Sequence, residues 1–432
     1  MSFSPSLPVS VAWSAPRRLA FRFLFVYLLA YSFPFPLSAL PYGPSAANTW
    51  FESVWAPFVR WFGVAVVRLP EAITVLPNGS GDTTFDWVEC AAFLALGCVG
   101  ALIWTALGRS ASSHPRLAAF LRGYLRYVLA VAMLGYGMAK VVPQQFSAPS
   151  LDRLTSTYGE SSPMGLLWTF MGASSAYQFF AGAMEVLAGL LLLMRRTAVV
   201  GALVACGVLT NVVMLNFCFD VPVKLYSSHL LLMAGLIALP DTRRLFQAVV
   251  LGREVPAANV SEVFGPPRAR RVVRIATALF VLSILWGEAR GALAALGGAG
   301  APRGPSIQGL WRVEHFARDG VEVPLLADRP ELWRRVSISP YGWIMIRRMD
   351  DASERFRGEV DEAASTLLLR IPGRNDVEPR HLIWTHPSPD VLTLDGSEAG
   401  VHCDWVLRRV PEGSFLLTNR GFHWVNEAPL NR

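Results

Sequence analysis

Long apolar runs separated by short polar connections occupy the chain up to about Gly300, and short stretches of alternating polarity fill the remainder. Seven runs come near the ~20 residues a helix needs to cross a bilayer: Leu19–Leu40, Phe85–Leu107, Tyr124–Val142, Tyr177–Met194, Thr197–Asn216, Leu225–Leu239 and Val272–Leu293. A cleaved secretory signal competes for the first run, because Arg17 and Arg18 precede an apolar core. Its length, and the prolines Pro34 and Pro36 where a cleavage region would begin, favour a span. Between the first two runs, Trp50, Val54, Trp55, Phe58, Trp61 and Phe62 recur at helical spacing. Tryptophan enrichment predicts a helix lying in the membrane boundary, and the same spacing fits a helix buried against the bundle. MGLLWTFMG, inside 143–176, is too short to span and reads as re-entrant, interfacial or packed.

Beyond the linker GGAGAPRGP the pattern changes period. GLWRVEHF, RRVSISPYGWIMIRRM, STLLLRIP, HLIWTHP, DVLTLDG, DWVLRRV and GSFLLTNRGFHW read as short strands between turn residues. They predict a closed or nearly closed sheet with Trp311 buried near its start. Val336, Ile338, Ile344 and Ile346 should face one core, and SPYG at 339–342 should bend or end a strand. The expected fold class is a mainly α transmembrane bundle of about seven spans followed by a small all-β, barrel-like extramembrane domain. The expected division is 1–122, two spans with the boundary helix between them; 123–246, a four-helix core; 247–304, a loop, the seventh span and the linker; and 305–432, the β domain.

Composition agrees with this division: 53% of residues are hydrophobic and 16% charged, against about a quarter charged in soluble proteins. The net charge of +7 is not a nucleic-acid signal, because the arginines cluster in short loops between apolar runs. That bias orients spans. It places the N-terminus, Arg109–Arg126 and Arg243–Arg271 in the cytoplasm, and residues 305–432 outside, the periplasm for a bacterial inner-membrane protein. Five cysteines make no CxxC and no zinc spacing, and His315, His381, His386, His402 and His423 make no metal motif, so no metal is expected. In a strand, His402 and Cys403 should point to opposite faces. A Ser-nucleophile motif, a P-loop and a dinucleotide fingerprint are absent, and His229 has no second histidine for haem.

The candidate chemistry lies at one depth. In this orientation Lys140 ends the third span, Glu185 sits about two turns into the fourth, and Asn211, Asn216 and Asp220 reach the same half. Lys224, Tyr226 and His229 begin the sixth span, and Glu89 lies at similar height in the second. Each has a plain explanation: snorkelling for Lys140, a solvated turn pair for Asp220 and Lys224, packing for His229, hydration for Glu89. Glu185 has none, because AGAMEVLAGLLLL leaves its carboxylate in wholly apolar surroundings. Lys140 and His229 are its best-placed partners.

Tyr136, Gly137 and Lys140 in LGYGMAK, then Glu185, Gly189 and Thr197 in EVLAGLLLLMRRT, then a polar turn and KLYSSHLLL, together resemble the DoxX family of small four-helix membrane proteins over 124–246. Some members of that family are similar to subunits of a thiosulfate:quinone oxidoreductase, and others are linked to thiol or quinone redox handling. The resemblance implies a redox subunit in which Glu185 and His229 exchange protons and Lys140 holds a developing anion. Tyr136, Asn211, Glu89, Asp220 and Lys224 would line the ligand, with quinone as cofactor and another subunit as redox partner. Gly309 and Trp311 resemble the GxW start of lipocalin-like barrels. The alternative is a membrane-anchored binding or scaffold protein whose outer β domain holds a lipid or a partner.

Overall fold

The structure is a computed structural model. It describes residues 12–40, 44–70, 73, 79–108, 112–255, 267–297, 304–374, 376–398, 400–428 and 430. Most of the GGAGAPRGP linker, Arg109, and much of the arginine-rich 240–271 segment lie outside the described residues. The helices in order are α1 (Ala15–Ser32), α2 (Pro44–Ala65), α3 (Thr84–Leu107), α4 (Pro115–Val141), α5 (Leu151–Thr155), α6 (Pro163–Ala173), α7 (Ser175–Leu193), α8 (Ala198–Cys218), α9 (Lys224–Ala238), α10 (Thr242–Leu245), α11 (Pro267–Leu296) and α12 (Leu416–Asn419). The chain divides into two compact units. One holds residues 1–145 and 176–295, and the other holds 146–175 and 296–432.

In the helical unit, Leu28, Leu125, Leu129, Met133, Leu192, Met233 and Ile237 form the centre of the core. Glycines set how closely the helices approach. A Cβ on Gly182 would stand 2.6 Å from the Gly137 carbonyl oxygen and 2.8 Å from the Val141 nitrogen. One on Gly137 would stand 2.8 Å from the Val186 nitrogen, so α4 and α7 touch backbone to backbone. A capping box between Thr83 and Asp86 starts α3. In α2, Val59 and Phe62 are buried with Ile73, Val88 and Ala92, whereas Trp50, Val54 and Trp61 are more than half exposed. One face of the helix is therefore packed, as the buried reading expects, and the tryptophan-bearing face is left open.

Six helical segments among the described residues are long and apolar enough to cross a membrane: Ala15–Ala39, Thr84–Leu107, Pro115–Val141, Ser175–Leu193, Ala198–Cys218 and Arg271–Leu296. The expected count was seven. The missing one is the sixth run, which forms the 15-residue α9. Pro222 and Pro240 bracket that run, and 15 residues rise only ~22 Å.

The second unit contains the sheet: β1 (Gly309–Arg318), β2 (Val321–Glu322), β3 (Trp333–Ile338), β4 (Trp343–Arg348), β5 (Ser353–Asp361), β6 (Thr366–Arg370), β7 (Arg380–Ser388), β8 (Val391–Glu398) and β9 (Val401–Arg409). Every pairing is antiparallel, and β1 also pairs with β9 across a bulge at Val313/His315. Leaving aside the two-residue β2, eight strands close into a barrel, a size whose lumen side chains can fill. Trp311, Val336, Ile338, Ile344, Ile346, Phe356 and Trp405 fill it here, each 2% exposed or less. Trp333 stacks on Trp405 at 4.5 Å. The Arg409 guanidinium lies 4.3 Å over the Trp311 ring at the β1–β9 seam. Ser339–Gly342 is the β3–β4 turn, with Gly342 at φ 75°, so SPYG does end a strand. GSFLLTNRGFHW, expected as a strand, instead forms α12 and irregular chain, because β9 has already closed the sheet on β1 and leaves no edge to pair with.

The 146–175 segment belongs to this barrel unit, where an outer loop of the four-helix core was expected. Its fold explains a buried charge. Arg347 alternates with the inward-facing Ile344 and Ile346 and so points outward, yet it is only 4% exposed. It donates to the Asp351 carbonyl (2.9 Å) and to Ser156 Oγ (3.5 Å), and pairs with Glu160 at 3.6 Å. Residues after α5 therefore cover it, and Phe146 meets Trp168 of α6 edge-on at 5.0 Å.

Candidate functional site

Lys140 lies in the last turn of α4 and Glu185 midway along α7. The glycine contact between these helices brings Lys140 Nζ to 2.7 Å from Glu185 Oε2, with the two residues 8% and 4% exposed. A pair this buried is held by its mutual attraction, and loss of either member strands the other. Lys140 Nζ also lies 5.7 Å over the ring of Tyr136, one turn back, and that ring is 6.0 Å from Tyr226 of α9.

His229 does not bond Glu185. Its Nδ1 donates to the Leu225 carbonyl at 2.6 Å, one turn back on α9. This leaves Nε2 to accept from the Tyr27 hydroxyl at 2.5 Å. Tyr31, one turn further along α1, stacks on the imidazole at 3.9 Å and 10°. Tyr27 Oη also meets Cys90 Sγ at 3.6 Å, and Tyr226, Tyr27, Cys90 and Glu89 are the electrostatic neighbours of Tyr31. Protonatable side chains thus run from Glu185 and Lys140 past Tyr136, Tyr226 and Tyr31 to His229 and Tyr27. An apolar groove of about 330 Å³ lined by Leu29, Ala30, Phe33, Phe51, Trp55, Phe93 and Leu96 adjoins this row. Phe93 joins the two features, its ring meeting that of Tyr31 edge-on at 6.0 Å.

Other expected residues fall elsewhere. Asn211 is exposed on α8. Asp220 is also exposed and holds Lys224 at 2.9 Å. Asn216 donates to Ser227 Oγ at 2.9 Å. Asp82 accepts from the backbone N–H of Lys224 (2.7 Å) and Leu225 (3.0 Å), and so caps α9. No local pattern pointed to Asp82, because it lies in the connection before α3. Tyr27 and Tyr31 were missed although their i, i+4 spacing was visible within the first run. In the barrel, His402 faces outward between Asp395 (3.6 Å) and Asp404 (3.4 Å), while Cys403 is buried. The opposite-face expectation holds, and such an exposed charge group contributes little stability. All five cysteines are free.

His114 carries a pH dependence. Arg22 Nε donates to its Nε2 at 3.2 Å, so the imidazole there is an acceptor and neutral. Burial, then the charges of Arg22 and Arg18, hold its pKa below the ordinary 6.5. The unfolded chain therefore takes up this proton first. The contribution is complete above pH ~6.5 and is lost as pH falls from there towards the lowered value. The helical unit should melt at lower temperature at pH 5.5 than at pH 7.5, and His114→Gln should flatten that difference. Identical pH profiles for the two proteins would refute this.

The fold defines a class: helices long and apolar enough to cross a membrane, with polar groups buried among them, followed by a closed eight-stranded antiparallel barrel. YwoB, an uncharacterized protein of Bacillus subtilis (strain 168), is 38% identical over 119 residues, which are 28% of this chain and 75% of YwoB. The chain belongs to the YwoB family. No family model matches it, DoxX included, and no solved structure matches.

Proposed function

We propose that this is a multi-pass membrane protein that binds a quinone-like ligand and exchanges protons with it as a subunit of a redox system. The observation that carries the reading is the meeting of the apolar groove with the row of protonatable groups at Phe93 and Tyr31. A lipophilic tail would occupy the groove, and a headgroup would meet Tyr31, Tyr226 and His229. Reduction of a quinone takes two electrons and two protons. The protons would come by way of Tyr27–His229 and Lys140–Glu185, and the electrons from a partner subunit. The DoxX resemblance over 124–246 supports this reading. The scaffold alternative gains from the filled barrel lumen, which leaves the outer wall of the barrel as its binding surface.

Titration of the purified protein with a short-chain benzoquinone should show saturable binding. Tyr226→Phe and His229→Gln should each weaken it about tenfold, the equivalent of one good hydrogen bond. Absence of saturation, or indifference to both substitutions, would favour the scaffold.

Residues 146–175 and the barrel form one compact unit, which supports reading both on one side of the membrane. Between them lie α7, α8, α9 and α11. Three crossings would separate them and four would keep them together, so we read α9 as a crossing helix despite its length, its ends extended by Lys224, Arg243 and Arg244. Reporter fusions after Arg253 and after Gly304 should then report opposite sides, cytoplasmic and periplasmic respectively. A same-side result would remove α11 from the count, and a periplasmic fusion after Arg253 would remove α9.

A further inference from the structure

At the far end of the α4–α7 contact from Lys140 and Glu185 stands a second buried charge. Arg126 is 8% exposed although it lies eleven residues into α4. Its guanidinium rests 4.5 Å from the Tyr127 ring, and its Nε has no hydrogen-bond partner. Among the described residues no carboxylate lies within ion-pair distance of it. Tyr127 is its side-chain hydrogen-bond partner, and its charged neighbours are Arg195 and Arg122. Asp241, the acid that Arg122 holds at 2.6 Å, is also engaged by Arg244 at 2.9 Å. A buried guanidinium among like charges needs an anion. Directly before Arg195, α7 exposes an apolar stripe of Leu187, Leu190 and Met194.

We propose that Arg126 and Arg195 bind the phosphate of an anionic phospholipid whose acyl chains run along Leu187, Leu190 and Met194. Charge complementarity selects the phosphate, which a guanidinium can grip with two parallel hydrogen bonds. The exposed stripe selects a lipid over a free anion. Basic pockets between membrane helices recognise headgroups in this way. The site uses neither His229 nor the groove, so it stands or falls apart from the quinone reading.

The test uses the full-length protein in nanodiscs of phosphatidylcholine alone or with phosphatidylglycerol, and in phosphatidylcholine with inorganic phosphate added. The melting temperature should rise with phosphatidylglycerol and stay flat with inorganic phosphate. Native mass spectrometry should find phosphatidylglycerol retained. Arg195→Gln lies on an exposed residue just beyond the helix and should leave folding intact while weakening retention about fivefold. Arg126→Gln should abolish retention; if that variant fails to fold, Arg195→Gln decides. Equal response to both lipids, equal response to inorganic phosphate, or unchanged retention in Arg195→Gln would overturn the proposal.

Discussion

Glu185→Ala should destabilise the helical unit by roughly 3–5 kcal/mol, because it leaves the Lys140 ammonium buried without its counter-charge. The double variant Lys140→Met, Glu185→Leu should regain most of that loss, since apolar groups of similar volume replace the whole pair at little net cost. Unfolding of the three proteins in mixed micelles separates the cases. Equal stability of wild type and Glu185→Ala would mean that Lys140 reaches solvent or another acceptor, contrary to its 8% exposure. The double variant also distinguishes glue from function. If the pair serves only packing, benzoquinone binding should survive in it; if the pair supplies a proton, turnover with the partner should fail while the fold stands.

Glu185 and Lys140 were legible in the sequence because a lone ionisable group in an apolar run has few inexpensive states. Their partnership was legible too, since two antiparallel spans with charges near the same end must bring them together. The partners of His229 were not. Tyr27 and His229 are 202 positions apart, and nothing in the run around Tyr27 separates a lipid-facing tyrosine from a buried one. The barrel strands were readable from their alternation, down to Val336, Ile338, Ile344 and Ile346 in one core. Arg347 was not, because an outward arginine on a strand looks solvated until another segment covers it. The length of α9 was set by Pro222 and Pro240, which were visible, but hydropathy alone made it look like its longer neighbours.

Trp405→Ala should cost the barrel about 3–5 kcal/mol, the range for emptying a large aromatic site in a packed core. Trp405 is 2% exposed and stacked on Trp333 among the buried side chains of the lumen. Hydrogen exchange of barrel amides in the full-length protein reports this unit without interference from the helices. Protection should fall across β1, β8 and β9, the strand bearing Trp405 and its two neighbours. Trp424→Ala, at a residue 91% exposed, should leave exchange unchanged. Equal protection in both variants would mean that the lumen tolerates a void of indole size.

The docking of 146–175 with the barrel has a consequence for the order of synthesis. The segment leaves the ribosome before α7, and its partner surface on β1 and β4 leaves after α11. Until β4 emerges, Ser156 and Glu160 have no Arg347 to meet, while α4 and α7 on either side of them can already close on their glycines. The helices therefore fold around a connection that must wait, unsatisfied, for the C-terminus. A chain truncated before β4 would insert normally and still present that waiting surface, a natural point for quality control by proteases to act.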